Sequence, residues 1–478
     1  MRPLKSFRKN YFYDDWDEVV QSTLSAQEVL NMPSTGQEAD KARHRWAGLL
    51  AQGALFKRTR WINWRVAPDA YPLSQDILEQ LTELGTLVDS FLQGVDRCLG
   101  ENAFFRETLG FPTCPEEEIL WQHHRGDPLA FFRLDLTFDQ TGMVKLLEIQ
   151  VVMGGLGITQ ALRSIYGPHK TLAGTAASYE RSVLNAYNGW CKRRKLRPPE
   201  KPLVAVIGAR NSKYRHDHLV LARHVHQLEM VVSPLNLLDF DSGGRPTLPD
   251  GRIPHIIHRL FRSPSLFQKN PEKALCLMDS IKRKQVFMAN PWKDFLEDKR
   301  VLALVKHPRV KQNRPEWLES AECVRLRRFL PCTRLADAPS ITELLGRPRS
   351  ERTRYLKKGR SFESRDLCDG QQVNLRQWDA ACLRARREGD WIIQNAVYGR
   401  PQPFRYLEFQ AQEIRPMQGY IRLNPFYFRT QDKKIVLGDI LITAREERSR
   451  IHGASDAILL VPCTREGAAN FQEAAEEE

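Results

Sequence analysis

FFRLDLTFDQTGMVKLLEIQVVMGGLG, residues 131–157, is the stretch on which the fold turns. Phe131–Phe138 and Met143–Val152 are apolar runs with polar residues set into them. The turn residues DQTG at 139–142 separate the two, so the pattern predicts a β-hairpin. Alternation along a strand puts Arg133 and Asp135 on one face, and Glu148 and Gln150 on one face of the partner strand. An arginine, two carboxylates and an amide oxygen then converge across the hairpin. Carboxylate and amide oxygens are hard ligands suited to Mg²⁺, which usually completes its shell with substrate phosphates. The same four side chains would equally make a surface ladder of cross-strand ion pairs, and the hairpin alone leaves both readings open.

Working outward, the chain upstream of the hairpin reads mainly as helix. YPLSQDILEQLTELGTLVDSFLQGVDRCLG carries start signals at Ser74 and Asp76, then apolar residues at three- and four-residue spacing through Leu99. Downstream, Gly154, Gly155 and Gly157 bend the chain into a helix, and TAASYERSVLNAYNGWCKRRKL predicts another. The basic, proline-containing stretch KRRKLRPPEKP at 192–202 follows as a linker. LVAVIG, a helix around HLVLARHVHQL, and MVVSPL then predict a β–α–β unit, closed by the strand-like IPHIIHRLF. Residues 290–345 read as helical in ANPWKDFLEDKRVLALV and EWLESAECVRLRRFL. From Thr353 the texture changes to strands: TRYLKKG, DWIIQNAV, RYLEFQAQEI, GYIRLNPFYF, KKIVLGDILITA and AILLVP.

Composition narrows the class. A chain of 478 residues exceeds one compact core and predicts two or three units. With 42% apolar and 27% charged residues it is not a disordered chain. No uncharged apolar run approaches the length that spans a bilayer, and the start MRPLKSFRKNYFYDDWDE, with no apolar stretch and acidic residues by position 14, does not read as a secretory signal. Nine scattered cysteines without a CxxC pair fit a reducing cytosol, and with it a cytoplasmic protein free of membrane. The net charge of +14 suits phosphorylated or carboxylate ligands, and also nucleic acid.

Four signals attract attention and carry little. DSGG at 241–244 copies a fragment of a serine-protease loop, but it reads better as a turn. His216, His218, His224 and His226 do not fall at i,i+3 or i,i+4, so a helix would not gather them around a metal. The run KRRKLR at 192–197 reads as a solvated linker before a nucleic-acid patch. Gly154, Gly155 and Gly157, after a strand and before a helix, imitate a dinucleotide-binding turn, but Gln160 stands where the third glycine of that fingerprint belongs. TRYLKKGRSFESRD is more suggestive, since Lys357 and Lys358 end a strand ahead of a polar loop. DWIIQNAV, about thirty residues later, offers a hinge for an adenine edge. A basic β-hairpin with no ligand fits these residues as well.

Together these pieces resemble the circularly permuted branch of the ATP-grasp superfamily, typified by eukaryotic-type glutathione synthetase. The resemblance lies in RLD, LLEIQ and MGGLG, in NPWKDFLEDKRVLALV, in YLKKG followed by WIIQNAV, and weakly in GDILITAREERSRIHGASDAILLVP. In the permuted order the hairpin precedes the lysine strand, here by more than 200 residues. The likeness covers roughly residues 75–463, discontinuously. It implies an α+β ATP-grasp fold with an inserted small α/β domain. The implied divisions are 1–115 helical, 116–192 metal-binding half, 200–290 small domain, 291–463 ATP-binding half and 464–478 acidic tail.

The resemblance also implies ATP and Mg²⁺ as cofactors. Lys299 and Lys357 would contact phosphates, with Lys358 as the fallback. Glu148, Gln150 and Glu363 would bind metal, and Gln394, Asn395 and Val397 would form the adenine hinge. Arg133, Asp135, Gly154 and Gly155 would face the substrate. Two departures stand out: the loop GRSFESRD lacks the family's glycines, and Ile442 occupies a position that is often basic. The implied activity is ADP-forming ligation of a small-molecule carboxylate to an amine. The competing reading is a catalytically degenerate grasp-like protein that binds nucleotide or nucleic acid.

Overall fold

The computed structural model describes residues 26–32, 36–52, 64–167, 169–208, 214–305, 317, 320–361, 366–408, 411–448 and 457–463. At its centre, the strands Phe131–Phe138 and Val144–Gln150 form the expected hairpin. The first of them also pairs antiparallel with the long strand Glu413–Arg429, matching Arg133 with Phe426 and Leu136 with Leu423. Ile435–Arg445, Ile458–Leu460 and Gln402–Glu408 complete a six-stranded antiparallel sheet. Hairpin and C-terminal third therefore share one sheet, despite their separation in sequence.

Strand alternation gives this sheet two faces with different tasks. Phe132, Leu134, Leu136, Leu423 and Tyr427 pack on the helix Gln75–Glu101 through Leu81, Leu84, Val88 and Phe91. That helix begins at Ser74, whose Oγ accepts the Ile77 N–H at 3.4 Å. Gly85 has a steric duty, because a Cβ there would lie 2.2 Å from the Tyr427 ring. The close approach lets Tyr427 donate to the Leu81 carbonyl at 2.8 Å while its ring is fully buried. Burial of each such side chain contributes about 2–3 kcal/mol. Phe131, Phe426, Phe428 and Leu441, on the opposite face, meet the helices Leu156–Tyr166 and Thr175–Arg193.

The middle segment is a parallel α/β layer, as its apolar runs lead one to expect. Leu203–Gly208 pairs with Glu229–Pro234 on one side and Ile256–Leu260 on the other, with Phe287–Met288 at the edge. A separate four-stranded antiparallel sheet holds Thr333–Leu335, Trp391–Asn395, Arg354–Lys358 and Leu367–Asp369, in that order. The helix Leu375–Glu388 covers one face of it, placing Trp378, Cys382 and Ala385 on Leu356, Trp391 and Ile393. A capping box of Asn374 and Gln377 starts that helix and left-handed Gly389 ends it.

One expectation needs correction. ANPWKDFLEDKRVLALV is not a continuous helix: Asp294–Glu297 is a 3₁₀ turn and Arg300–Leu304 a short helix. The break follows from its acids, which take partners that a continuous helix would not offer them. Glu297 accepts the Val151 and Val152 N–H groups, and Asp298 holds Arg300 and Arg360. The strands expected after Thr353 are present. They divide between the four-stranded and the six-stranded sheets. The whole is mixed α/β with several sheets, and no described helix is long and apolar enough to cross a membrane.

Candidate active site

The segment Asn290–Arg300 ties the two sheets together. Asn290 donates to the Phe131 and Val151 carbonyls and accepts the Ala130 N–H at 2.9 Å, locking the open end of the hairpin. Glu297 then binds the backbone just past Gln150. Two residues on, the Lys299 N–H donates to the Gly359 carbonyl at 3.1 Å, at the end of the lysine strand. The Lys299 side chain donates to the Ser361 carbonyl at 3.0 Å and pairs with Glu148 at 3.1 Å.

Lys357 reaches the same place from the other sheet. Its Nζ donates to Gln394 Oε1 at 2.7 Å, and Gln394 in turn donates to Thr333 Oγ1 at 3.1 Å. Burial pushes the Lys357 ammonium down, Glu148 pulls it back up, and nearby Lys299 lowers it again, leaving it at about 8. Burial works to raise the Glu148 carboxyl, yet the charges of Lys299 and Lys357 and the Lys299 hydrogen bond hold it below the ordinary value. Both lysine side chains are buried, whereas the Glu148 side chain keeps 22% of its surface exposed. Glu148, Lys299, Lys357 and Gln394 thus meet at the junction of the two sheets. Arg262, from the parallel layer, pairs with Glu297 at 2.5 Å and lends its charge to Glu148.

The rest of the hairpin constellation is occupied internally. Asp135 lies directly opposite Glu148. It is ion-paired with Arg133 and Arg422, and accepts from Asn424 at 2.5 Å and Gln150 at 2.9 Å. Arg133 also donates to the Gly154 carbonyl at 2.6 Å and to Gln150 Oε1 at 2.5 Å. Both ends of the Gln150 amide are therefore used within the network.

The glycine bend serves helix packing. Tyr214 covers Gly154 so closely that a Cβ there would stand 2.0 Å from its ring. The Gly155 and Ile158 N–H groups both donate to the Asp217 carboxylate at 2.8 Å. The start of the helix Leu156–Tyr166, where a phosphate would bind in a dinucleotide site, holds a carboxylate of the same chain.

Some of the remaining candidates fall elsewhere. Lys358 faces away from Lys357, as adjacent strand residues must, and pairs with Glu388 at 3.1 Å. Asn395 lies opposite Arg354 at the end of its strand and, with Arg334 and Cys332, lines a recess of about 480 Å³. Val397 borders a shallow surface dip with Thr137, Phe138 and Tyr398. Ile442 is fully buried in the apolar core. Glu363 lies outside the described residues. Sequence reasoning missed Glu297, Arg262, Asp217, Arg422 and Asn424. Only Glu297 had a signal, as an acid two residues before Lys299.

No protein-family description matches the sequence, and no curated protein matches it. Among solved structures, one named "Putative gamma-glutamylcysteine synthetase", from Methylobacillus flagellatus KT, is similar over 78% of this chain and 87% of its own. The identity is 11% and the TM-score 0.38, a likeness too slight to assign an activity.

Proposed function

We propose that the chain is an ATP-dependent ligase that joins a carboxylate to an amine through an acyl phosphate. The observation that carries this is the meeting of Lys299 and Lys357 at Glu148, from three segments far apart in sequence. Among the described residues, Lys299, Lys357, Arg262, Arg133 and Arg422 gather around that point with the carboxylates of Glu148, Glu297 and Asp135, and Asp217 also acts on Arg133. Buried cations in excess of their carboxylates suit the phosphates of ATP.

Mg²⁺ fits Glu148, since one carboxylate at a solvent edge plus substrate phosphates is a usual shell for this ion. The Gln150 oxygen is already taken by Arg133, and among the described residues no three His, Cys, Asp or Glu side chains gather as a metal site. The ion would therefore take most of its ligands from substrate, and when bound it would neutralise phosphate charge. Lys299, fixed by the Ser361 carbonyl, and Lys357, fixed by Gln394, hold their ammonium groups against the same oxygens. A substrate carboxylate oxygen attacks the γ-phosphorus and ADP leaves. An amine then attacks the acyl carbon, phosphate departs, and the amine proton passes to solvent. Arg133 acts through Gln150 and Gly154, keeping the hairpin in place.

A screen for phosphate release from ATP with pools of amino acids and polyamines, its products weighed by mass spectrometry, tests the reading. ADP formation should require both a carboxylate and an amine. Absence of ADP with every pool, together with no rise in melting temperature on adding Mg-ATP, would overturn it.

A further inference from the structure

We infer that the surface where the helices Thr175–Arg193 and Pro271–Lys282 end side by side binds the phosphodiester backbone of nucleic acid. The basic run KRRKLR at 192–197, taken alone, is a solvated linker. The structure sets a second run beside it, KRK at 282–284, almost ninety positions away in sequence. Trp190 joins the two: it stacks on Tyr187 at 5.8 Å and meets Phe287 at 5.8 Å, just past the second run. The end of the helix Pro115–His124 and the turn after it lie within electrostatic reach of both. Asp127 feels the charge of Arg193, and His123 that of Lys284 and Lys282.

Nearly all of these cations are exposed, and Arg194, which is half-buried, lies over the Trp190 ring at 4.9 Å. Among the described residues the acids beside them include Glu200, Asp127, and Asp279, which already pairs with Arg283 at 2.8 Å. Complementing a helix dipole accounts for one or two basic residues in a last turn. It does not account for runs that continue past both helix ends. Each helix also closes on a lysine in the left-handed region, Lys195 at φ 57° and Lys284 at φ 59°, where glycine is the usual choice.

The composition favours nucleic acid over a membrane. Arginine recurs in both runs, and its planar fork suits phosphate oxygens. Docking on a bilayer needs apolar side chains to insert, and Leu196 is the one large apolar side chain exposed within these runs. The ligase site contributes no residue to this surface, so either reading can fail without the other.

The test is fluorescence anisotropy of the full chain with a labelled single-stranded RNA of about 20 nucleotides, long enough to span several phosphate contacts. Contact with about five phosphates should weaken binding roughly a hundred-fold between about 50 and 200 mM salt. The variant Lys192→Gln/Arg193→Gln/Lys282→Gln/Lys284→Gln should bind at least about ten-fold more weakly, with a shallower salt slope. A control removes the same charge elsewhere, at Arg347, Arg415, Lys433 and Lys434, and should bind as wild type does. Thermal melts establish that both variants fold. Equal loss in both variants would show only the effect of net charge and overturn the inference. So would salt-independent RNA binding, or retention on phosphatidylserine vesicles without RNA binding.

Discussion

Two carboxylates face each other across the same hairpin and lead different lives. Asp135 is 1% exposed and touches Arg133, Arg422, Asn424 and Gln150, so every lone pair has a donor. Glu148, its cross-strand partner, keeps 22% of its side chain exposed and answers to Lys299, Lys357 and Arg262, which arrive from other segments. One closes a structural network; the other leaves a charged edge on which a ligand can act. Residue type does not separate them. What separates them is which neighbours the rest of the chain supplies.

The largest effect should come from the closed side. Asp135→Ala leaves buried Arg133 and partly buried Arg422 without this carboxylate and should cost about 3–5 kcal/mol in urea unfolding. A loss below about 1 kcal/mol would mean that Asp135 is no more structural than Glu148, and the contrast would collapse. Asp217→Ala comes next, since it removes the acceptor of two helix-start N–H groups. It should cost about 1–2 kcal/mol while leaving ATP binding intact. Loss of ATP affinity without loss of stability would return the glycine bend to the substrate side.

The open side has a pH signature. The Lys357 ammonium, at about 8 in the folded protein against an ordinary 10.5, gives up its proton before the unfolded chain does. Between those values the unfolded state binds more protons, so this group adds stability as pH rises. Wild type should therefore gain stability relative to Lys357→Met from about pH 8 to 10, while its turnover falls through the same range as the cation is lost. A stability difference that is flat with pH would contradict the burial argument. The smallest effect belongs to the hairpin turn. Asp139 Oδ1 accepts from the Thr141 and Met143 N–H groups, and an asparagine oxygen can do the same. Asp139→Asn should shift the melting temperature and turnover little.

How much of this was legible in the sequence depends on the range of the interactions. The hairpin, the helix from Ser74 and the parallel strands at LVAVIG and MVVSPL follow from local periodicity, and so were readable. Glu148, Lys299, Lys357 and Gln394 were singled out through a family likeness, and the structure brings those four together. Periodicity could not show that Glu297 would break its expected helix to bind the hairpin backbone, or that Asp217 would take the helix start behind Gly155. Arg422 and Asn424 were invisible for the same reason. They sit in a strand whose neighbour lies almost three hundred residues upstream.

The most direct measurement pairs turnover with stability in Glu148→Gln. If Glu148 works at the phosphates, loss of its charge should cut ADP formation by at least a hundred-fold, about 2.7 kcal/mol in the barrier. Unfolding free energy should meanwhile move by no more than about 1 kcal/mol, as expected for a side chain at a solvent edge. A folded Glu148→Gln protein that forms ADP at the wild-type rate would contradict the account, leaving the carboxylate as one more ion pair between sheets.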